Sequence, residues 1–427
     1  MRRDDQISLL ENDKRRDALV DLYGEEVYEI QKERYIALIE RFVSLFGDED
    51  LRFVSSPGRT ELGGNHTDHN HGKVVAASIQ LDSLAVVSTC SEGLVRLWSE
   101  GFPDLFTVDI ETLDRKQDNE HATTALIRGI LAVFKAKGLS IGGFNACISS
   151  DVLIGSGLSS SASIEVLLGK ILGLLYNNDA VGTVDLALIG QKAENEFLNK
   201  PCGLMDQVAC AHGGIVAIDF GEPGKPEIES VSYSFEENGY KLVVIDTGGD
   251  HIDLTDDYAA IPREMKSIAE AFGKEACRSL DGQEFIIKIP DLSARFGDRA
   301  VLRALHFFEE NKRVENMVTS LKKNDIGAYL GYVRDSGNSS FKFLQNVYTS
   351  KYVSTQKVSL AIGLTEIFEN FDGAVRVHGG GFAGTVQVYI KKELYNQYRQ
   401  YMEHFFGPRS VTPLKIRQKG AIEVFQK

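Results

Sequence analysis

Apolar positions recur at helical spacing through the first fifty residues. Leu19, Leu22, Val27, Ile30, Tyr35, Leu38, Phe42 and Leu45 stand among charged neighbours, the pattern of amphipathic helices that cover a core. The period then changes. Segments within 73–100, including Leu84-Ala85-Val86-Val87-Ser88 and Val95-Arg96-Leu97-Trp98, read as strands, and 121–136 reads as a helix. Phe144-Asn145-Ala146-Cys147-Ile148 alternates as a strand does. After it, Ile164, Val166, Leu167, Leu168, Ile171, Leu172, Leu174 and Leu175 make a helix apolar nearly all round, hence buried.

Further along, helix 185–198 runs into a turn at Pro201-Cys202-Gly203, and Ile215–Asp219 is a strand. Polar stretches at 221–228 and 236–239 mark a boundary. Beyond it come a strand at Lys241–Asp246, helices near 256–272, 299–322 and 354–370, and strands flanking a glycine cluster at 379–381. Mixed helices and strands with separate sheet-rich and helix-rich parts predict an α+β enzyme of two domains, 1–235 and 236–427.

Composition narrows the partners. A chain of 427 residues is long enough for two cores, and a net charge of −14 argues against nucleic acid or an anionic membrane as partner. It leaves phosphate ligands open, because backbone N–H groups bind them without a basic surface. The opening Met1-Arg2-Arg3-Asp4-Asp5 lacks the apolar core of a signal peptide, and no apolar run reaches membrane-spanning length. Five scattered cysteines with no Cys-x-x-Cys pair read as free thiols, which predicts a cytoplasmic protein.

Four segments carry chemistry. Gly155-Ser156-Gly157-Leu158-Ser159-Ser160-Ser161-Ala162 joins a strand to a buried helix. Its glycines allow close backbone approach, its serines donate hydrogen bonds, and the helix N-terminus adds free N–H groups, so it is a phosphate cradle. It is neither a Walker A loop nor a dinucleotide fingerprint. Ser56 to Gly72 crowds Arg59, Glu61, Asn65, His66, Asp68, His69 and His71 into a predicted loop. Its histidines lack common zinc spacing, which leaves a hydrogen-bonded turn or a sugar site. Glu194 lies on a predicted helix. Asp206 sits among Leu204, Met205, Val208 and Ala209, where a carboxylate needs a partner or a task. His378-Gly379-Gly380-Gly381 permits close backbone approach or a plain hairpin.

Taken in order, these segments resemble the GHMP sugar-kinase superfamily and, within it, the galactokinase family, from about residue 50 to 390. Pro57–His69 stands where the family has Pro-Gly-Arg-x-Asn-Leu-Ile-Gly-Glu-His-x-Asp-Tyr. Gly155–Ala162 matches Gly-x-Gly-Leu-Ser-Ser-Ser-Ala, and Cys202–Gln207 matches Cys-Gly-Ile-Met-Asp-Gln with Leu for Ile.

The resemblance implies a two-domain GHMP kinase fold: a ribosomal S5-like N-terminal domain, an α+β C-terminal domain and the site between them. It implies an ATP- and Mg2+-dependent sugar 1-kinase acting as a monomer. Asp206 is then the base and Arg59 its neighbour. Ser161, with Ser160 nearby, and Glu194 hold Mg2+. Residues 155–162 cradle the phosphates, and Asn65, His66, Asp68 and Tyr258 contact the sugar. The departures are Glu61 for the family Asn, Asn65 for its Glu and His69 for its Tyr. They rank galactose first as substrate, galacturonate second and N-acetylgalactosamine third. A catalytically silent galactose sensor is the non-enzyme rival. Asp246-Thr247-Gly248 and Asp219-Phe220-Gly221 resemble protease and protein-kinase motifs, but their required companion motifs are missing.

Overall fold

The computed structural model describes residues 1–115, 120–152, 155, 157–200, 202–249 and 254–425. In chain order its strands are β1 (Arg52–Gly63), β2 (Lys73–Cys90), β3 (Leu94–Ser99), β4 (Phe106–Asp109), β5 (Gly143–Ser150), β6 (Ile215–Asp219), β7 (Glu227–Val231), β8 (Tyr240–Asp246), β9 (Ala374–Val377), β10 (Thr385–Lys391), β11 (Val411–Leu414) and β12 (Ile422–Glu423). The first sheet runs β12-β1-β2-β5-β3-β4, with β6 and then β7 added beside the N-terminal part of β2. Its β3–β5 pair is parallel; its other pairs are antiparallel. The second sheet is β11-β8-β10-β9, antiparallel throughout.

Period-two alternation assigns each face of the first sheet a different cover. Val54, Ala85, Val87, Ala146 and Ile148 meet the apolar faces of helices Ala122–Ala136, Ser160–Tyr176 and Thr183–Phe197. Their neighbours Phe53, Leu84, Val86 and Cys147 meet Tyr35, Ile39 and Phe42 of helix Tyr28–Phe46. The charged first fifty residues therefore form the outer cover of this sheet. The second sheet splits the same way. Val243 and Ile245 face Val358, Tyr398 and Met402, whereas Leu242 and Val244 share a cluster with Leu62 and Val75 from the first half and with Val314 and Met317 of helix Asp298–Lys322.

Several strand and helix expectations fall within a few residues of the observed elements, and the differences have physical causes. Ser56 to Gly63 is not loop but strand. Pro57 and Gly58 interrupt the ladder, and the β1–β2 register shifts between Pro57 and Arg59 and again between Glu61 and Gly63. Helix Gly282–Phe296 is missing from the sequence reading because it contains Pro290 and leaves Ile286 and Ile287 exposed. Helix Ile326–Ser339 is hidden by Gly327, Gly331 and Gly337; Gly337 lies against the backbone of Val375 and Arg376, where a side chain has no room. Asp219 ends β6 and pairs with Arg278, and Asp246 ends β8 and accepts from Gly248 N at 2.8 Å, so both motif-like triplets are strand ends. Among the described residues no helix is long and apolar enough to cross a membrane.

The split at 235/236 does not hold to the end of the chain. Ile416 bridges Ile79, and β12 pairs with β1 in the register Val54↔Glu423, so the last residues return to the first sheet. Arg417 anchors them. It is buried beside Asp82, which also takes Arg34 of the N-terminal cover at 2.8 Å and hydroxyls from Tyr23 and Ser55. Burial alone pushes the Asp82 pKa up, but the two guanidinium groups outweigh it and hold the carboxyl ionised. Replacing one partner leaves a charge stranded in the interior. We expect Arg417→Leu to lower unfolding free energy by about 3 kcal/mol in urea titrations. A change within error would show that the terminal strand does not secure the first sheet.

Candidate active site

The site begins with the bulge in β1. It turns the Arg59 side chain off the sheet toward helix Met205–His212, where Arg59 Nε donates to Asp206 Oδ1 at 2.7 Å. Burial works against the Arg59 charge, but Asp206 and Glu61 more than offset it and raise its pKa above the ordinary value. Asp206 stays partly open, with 31% of its side chain exposed. The Ser159 hydroxyl donates to its other oxygen, and Arg59 Nη1 donates to the Gly157 carbonyl. The strand, the Gly/Ser loop and the Asp206 helix thus meet at one carboxylate.

The loop is held rather than floppy. Its Leu158 is buried in the cluster shared by the two sheets, and Leu158 O accepts Arg59 N at 3.0 Å. Ser159 adopts φ +61° ahead of helix Ser160–Tyr176. Gly157, at φ +67°, lies where a Cβ would press on Thr385 and His378 of the second half. Gly155 is exposed, Ser160 and Ser161 are half-buried, and Ala162 is buried. Ser156 lies outside the described residues, as does Pro201 of the expected turn.

Glu194 is on helix Thr183–Phe197, 2% exposed, and accepts Lys200 Nζ at 2.5 Å. Glu165, which the motif reading passed over, lies beside it. Burial first, and the Glu194 charge second, push its pKa up to about 8. Its signal was an acidic residue inside a helix otherwise read as apolar. The donor set fits a small divalent cation: the Ser161 hydroxyl and the Glu194 carboxylate are hard oxygens, and Glu165 Oε1 is buried with no hydrogen-bond partner. Among the described residues no group of three His, Cys, Asp or Glu side chains forms a metal site, so the histidines of the 64–72 turn are not one.

That turn docks on the glycine hairpin between β9 and β10. His66 Nε2 donates to Gly380 O at 2.9 Å, and the Tyr258 hydroxyl donates to Gly381 O at 2.7 Å. Gly381, at φ +83°, sits so close to the Asn346 carbonyl that a Cβ would overlap it. Asp68 abuts Gly203, and with His69 it lines a cavity of about 310 Å3.

Asn65 departs from the expectation that it contacts a sugar. It is fully buried. Its Nδ2 donates to the Glu61 carboxylate at 3.1 Å and to Gly379 O at 2.7 Å, and its Oδ1 accepts from Asn346 at 2.7 Å. No polar atom is left for a ligand. Its backbone carbonyl takes His306 Nε2 at 2.8 Å.

A galactokinase galactose-binding signature matches residues 40–89, and a GHMP kinases N terminal domain matches residues 125–214. The galactokinase of Streptomyces coelicolor is 30% identical over 360 residues, spanning 82% of this chain and 88% of the relative. That of Actinobacillus pleuropneumoniae serotype 5b is 29% identical over 352 residues, 81% and 87% of the two chains. Among solved structures, Lactococcus lactis galactokinase complexed with galactose superposes with a TM-score of 0.78 at 25% identity, covering 90% of this chain and 98% of the other.

Buried histidines make this region sensitive to acid. His66, His306 and His378 are all enclosed, and burial lowers each pKa, that of His66 to about 3. Unfolding frees each to bind a proton near pH 6.5. Their contribution is complete above that pH and falls by up to about 1.4 kcal/mol per histidine per unit below it. Glu165 acts oppositely, taking up its proton first in the folded state. In EDTA, the urea midpoint should therefore drop between pH 6.5 and 5, more steeply in Glu165→Gln and less steeply in His378→Gln. A flat profile in the parent protein would contradict this.

Proposed function

This chain belongs to the galactokinase family of GHMP kinases, and on that premise we propose that it transfers the γ-phosphoryl group of ATP to the anomeric C1 hydroxyl of galactose. The observation that carries the proposal is the Arg59–Asp206 pair at 2.7 Å at the foot of the Gly/Ser loop. A base and a fixed cation there stand within one loop of a helix N-terminus. Phosphoryl transfer needs little else: an oriented nucleophile and neutralisation of charge spread over the phosphate oxygens.

In this reading Asp206 accepts the proton of the C1 hydroxyl through its open side, while Ser159 and Arg59 fix its plane. Arg59 also steadies the attacking oxygen. Gly155, Gly157 and the first N–H groups of helix Ser160–Tyr176, together with Ser160 and Ser161, hold the phosphates. Ser156, Leu158 and Ala162 complete the segment. Ser161 and Glu194 would hold Mg2+, which would supply charge neutralisation on the phosphates. His66, Asp68 and Tyr258 face the sugar.

Asn65 drops out of the substrate reading because its amide is fully engaged inside the protein. The case for galacturonate rested on that side chain together with His69, and with Asn65 enclosed galactose is the substrate the site favours. The sensor reading finds no support in the site either: Ser159 to Ala162, Arg59 and Asp206 are all in place.

The test is ADP release with Mg-ATP and galactose. Asp206→Asn should cut kcat by about 10^3, within the range that a lost general base costs. Silence of the parent protein with galactose would overturn the proposal. A second variant isolates sugar binding. A Cβ at Gly203 would overlap the Asp68 carboxylate, so Gly203→Ala must displace it. The expected result is a KM for galactose raised about tenfold or more with the KM for ATP unchanged, since one lost charged hydrogen bond is worth about 1.5–3 kcal/mol. An unchanged galactose KM would remove Asp68 from the sugar site.

A further inference from the structure

Glu165 is the one acidic residue of helix Ser160–Tyr176, and it is fully buried. One of its oxygens accepts Gln207 Nε2 at 2.9 Å, and the other has no hydrogen-bond partner among the described residues. A buried carboxylate oxygen left in that state is costly, so its retention calls for a cause. The neighbours supply one. Ser161 is four residues earlier, hence on the same helix face. Gly190, one turn before Glu194 on the adjacent helix, packs directly on the Glu165 side chain. Glu194 and Lys200 are the charges that act on Glu165 most strongly. Two enclosed carboxyl groups thus lie on adjacent packed helices, Ser161 shares the Glu165 face, and among the described residues the ammonium that pairs with Glu194 is that of Lys200. That ammonium, Lys200 Nζ, comes from a side chain 62% exposed and reaches Glu194 at 2.5 Å.

With Lys200 engaged by Glu194, an enclosed oxygen of Glu165 is left without a partner among the described residues. Hard oxygen donors in this number suit a small divalent ion, which keeps most of its remaining positions for water and phosphate. We infer that Glu165 is a third oxygen group of the divalent-cation site, and that Lys200 is the resident counter-cation which the divalent ion displaces from Glu194. The inference rests on the reading of Ser161 and Glu194 as cation ligands. The competing account makes Glu165 a positioning residue only, acting through Gln207 on the helix that carries Asp206. The two accounts differ in what a metal titration reads.

The experiment is Mn2+ binding to the full chain without nucleotide, followed by loss of the free-ion EPR signal, for the parent protein, Glu165→Gln, Glu165→Asp, Glu194→Gln and Lys200→Met. Glu165→Gln should weaken Mn2+ binding about 10- to 100-fold, the cost of losing a partner in or beside a metal's ligand shell, and Glu165→Asp should restore part of it. Lys200→Met should tighten binding about threefold or more, because an ion pair of this exposure is worth up to about 1 kcal/mol. Lys200 is largely exposed, so this variant folds even where a change at Glu165 does not. Parent affinity in both Glu165→Gln and Lys200→Met, alongside loss in Glu194→Gln, would overturn the inference, as would absence of Mn2+ binding in every protein. Galactose-dependent ADP release, measured in parallel on the parent, keeps the kinase reading separate: its failure with Mn2+ binding intact would sink that reading and leave this one standing.

Discussion

The contact on which the rest depends is the enclosed ion pair between Glu61 of β1 and Arg376 of β9. Both side chains are shut off from solvent, and each belongs to a different sheet. Burial raises the Glu61 pKa, and Arg376 and Arg59 draw it back. Removing either partner would strand a charge in the interior at a cost of about 3–5 kcal/mol. The pair therefore dictates how the sheets meet. It also continues in both directions. Glu61 faces Arg59 and so Asp206, while Arg376 faces Glu310, which binds Arg313 at 2.7 Å. Charges alternate in sign along this line from the reacting carboxylate into the second half.

Because the line crosses between the sheets, the cleft has few ways to vary. Thr60 and Glu61 carry His378 between them, with its Nε2 3.0 Å from the Thr60 hydroxyl. Gln387 of β10 donates to the Glu61 carbonyl at 2.8 Å. The glycine hairpin is thereby held over β1, and its three carbonyls are placed to receive Asn65, His66 and Tyr258. Gly157 then fits under Thr385 and His378, so the phosphate loop is clamped by the same hairpin that orders the 64–72 turn. Sugar-side and phosphate-side elements share one support, which suits a reaction whose catalysis is mostly positioning.

The sequence was most legible where periodicity was strong or a motif was dense. The buried helix after the Gly/Ser loop, the strand at 215–219 and the outer helices of the first fifty residues follow directly from their patterns. So did the meeting of Arg59 and Ser159 at Asp206, though from motif order rather than from geometry. What stayed hidden was long-range. Nothing local says that Ile422–Glu423 returns to β1, that Asp82 gathers Arg34 and Arg417, or that Glu61 meets Arg376 across 315 residues. Two helices, Gly282–Phe296 with Pro290 and the glycine-rich Ile326–Ser339, were lost because tertiary packing overrides their poor propensity. Glu165 was legible and missed: one carboxylate in an apolar helix is itself the anomaly.

The departures from the family pattern also change meaning once the side chains are placed. Residues 61 and 65 carry Glu and Asn where the resemblance has Asn and Glu. Read one at a time, each looks like the loss of a functional group, and Asn65 invites a new substrate. In the structure the two side chains are bonded to each other, with Asn65 Nδ2 at 3.1 and 3.2 Å from the two Glu61 oxygens. Carboxylate and amide have changed places while the pair keeps its composition. The negative charge now lies on β1 between two arginines, where it is neutralised, and the turn itself keeps a neutral amide sealed by the hairpin. Asp68 remains the single acidic side chain of the 64–72 turn, and it lines the open cavity. A reciprocal exchange inside one hydrogen-bonded pair is compensated locally, so it alters the support beneath the site more than the surface that a sugar meets.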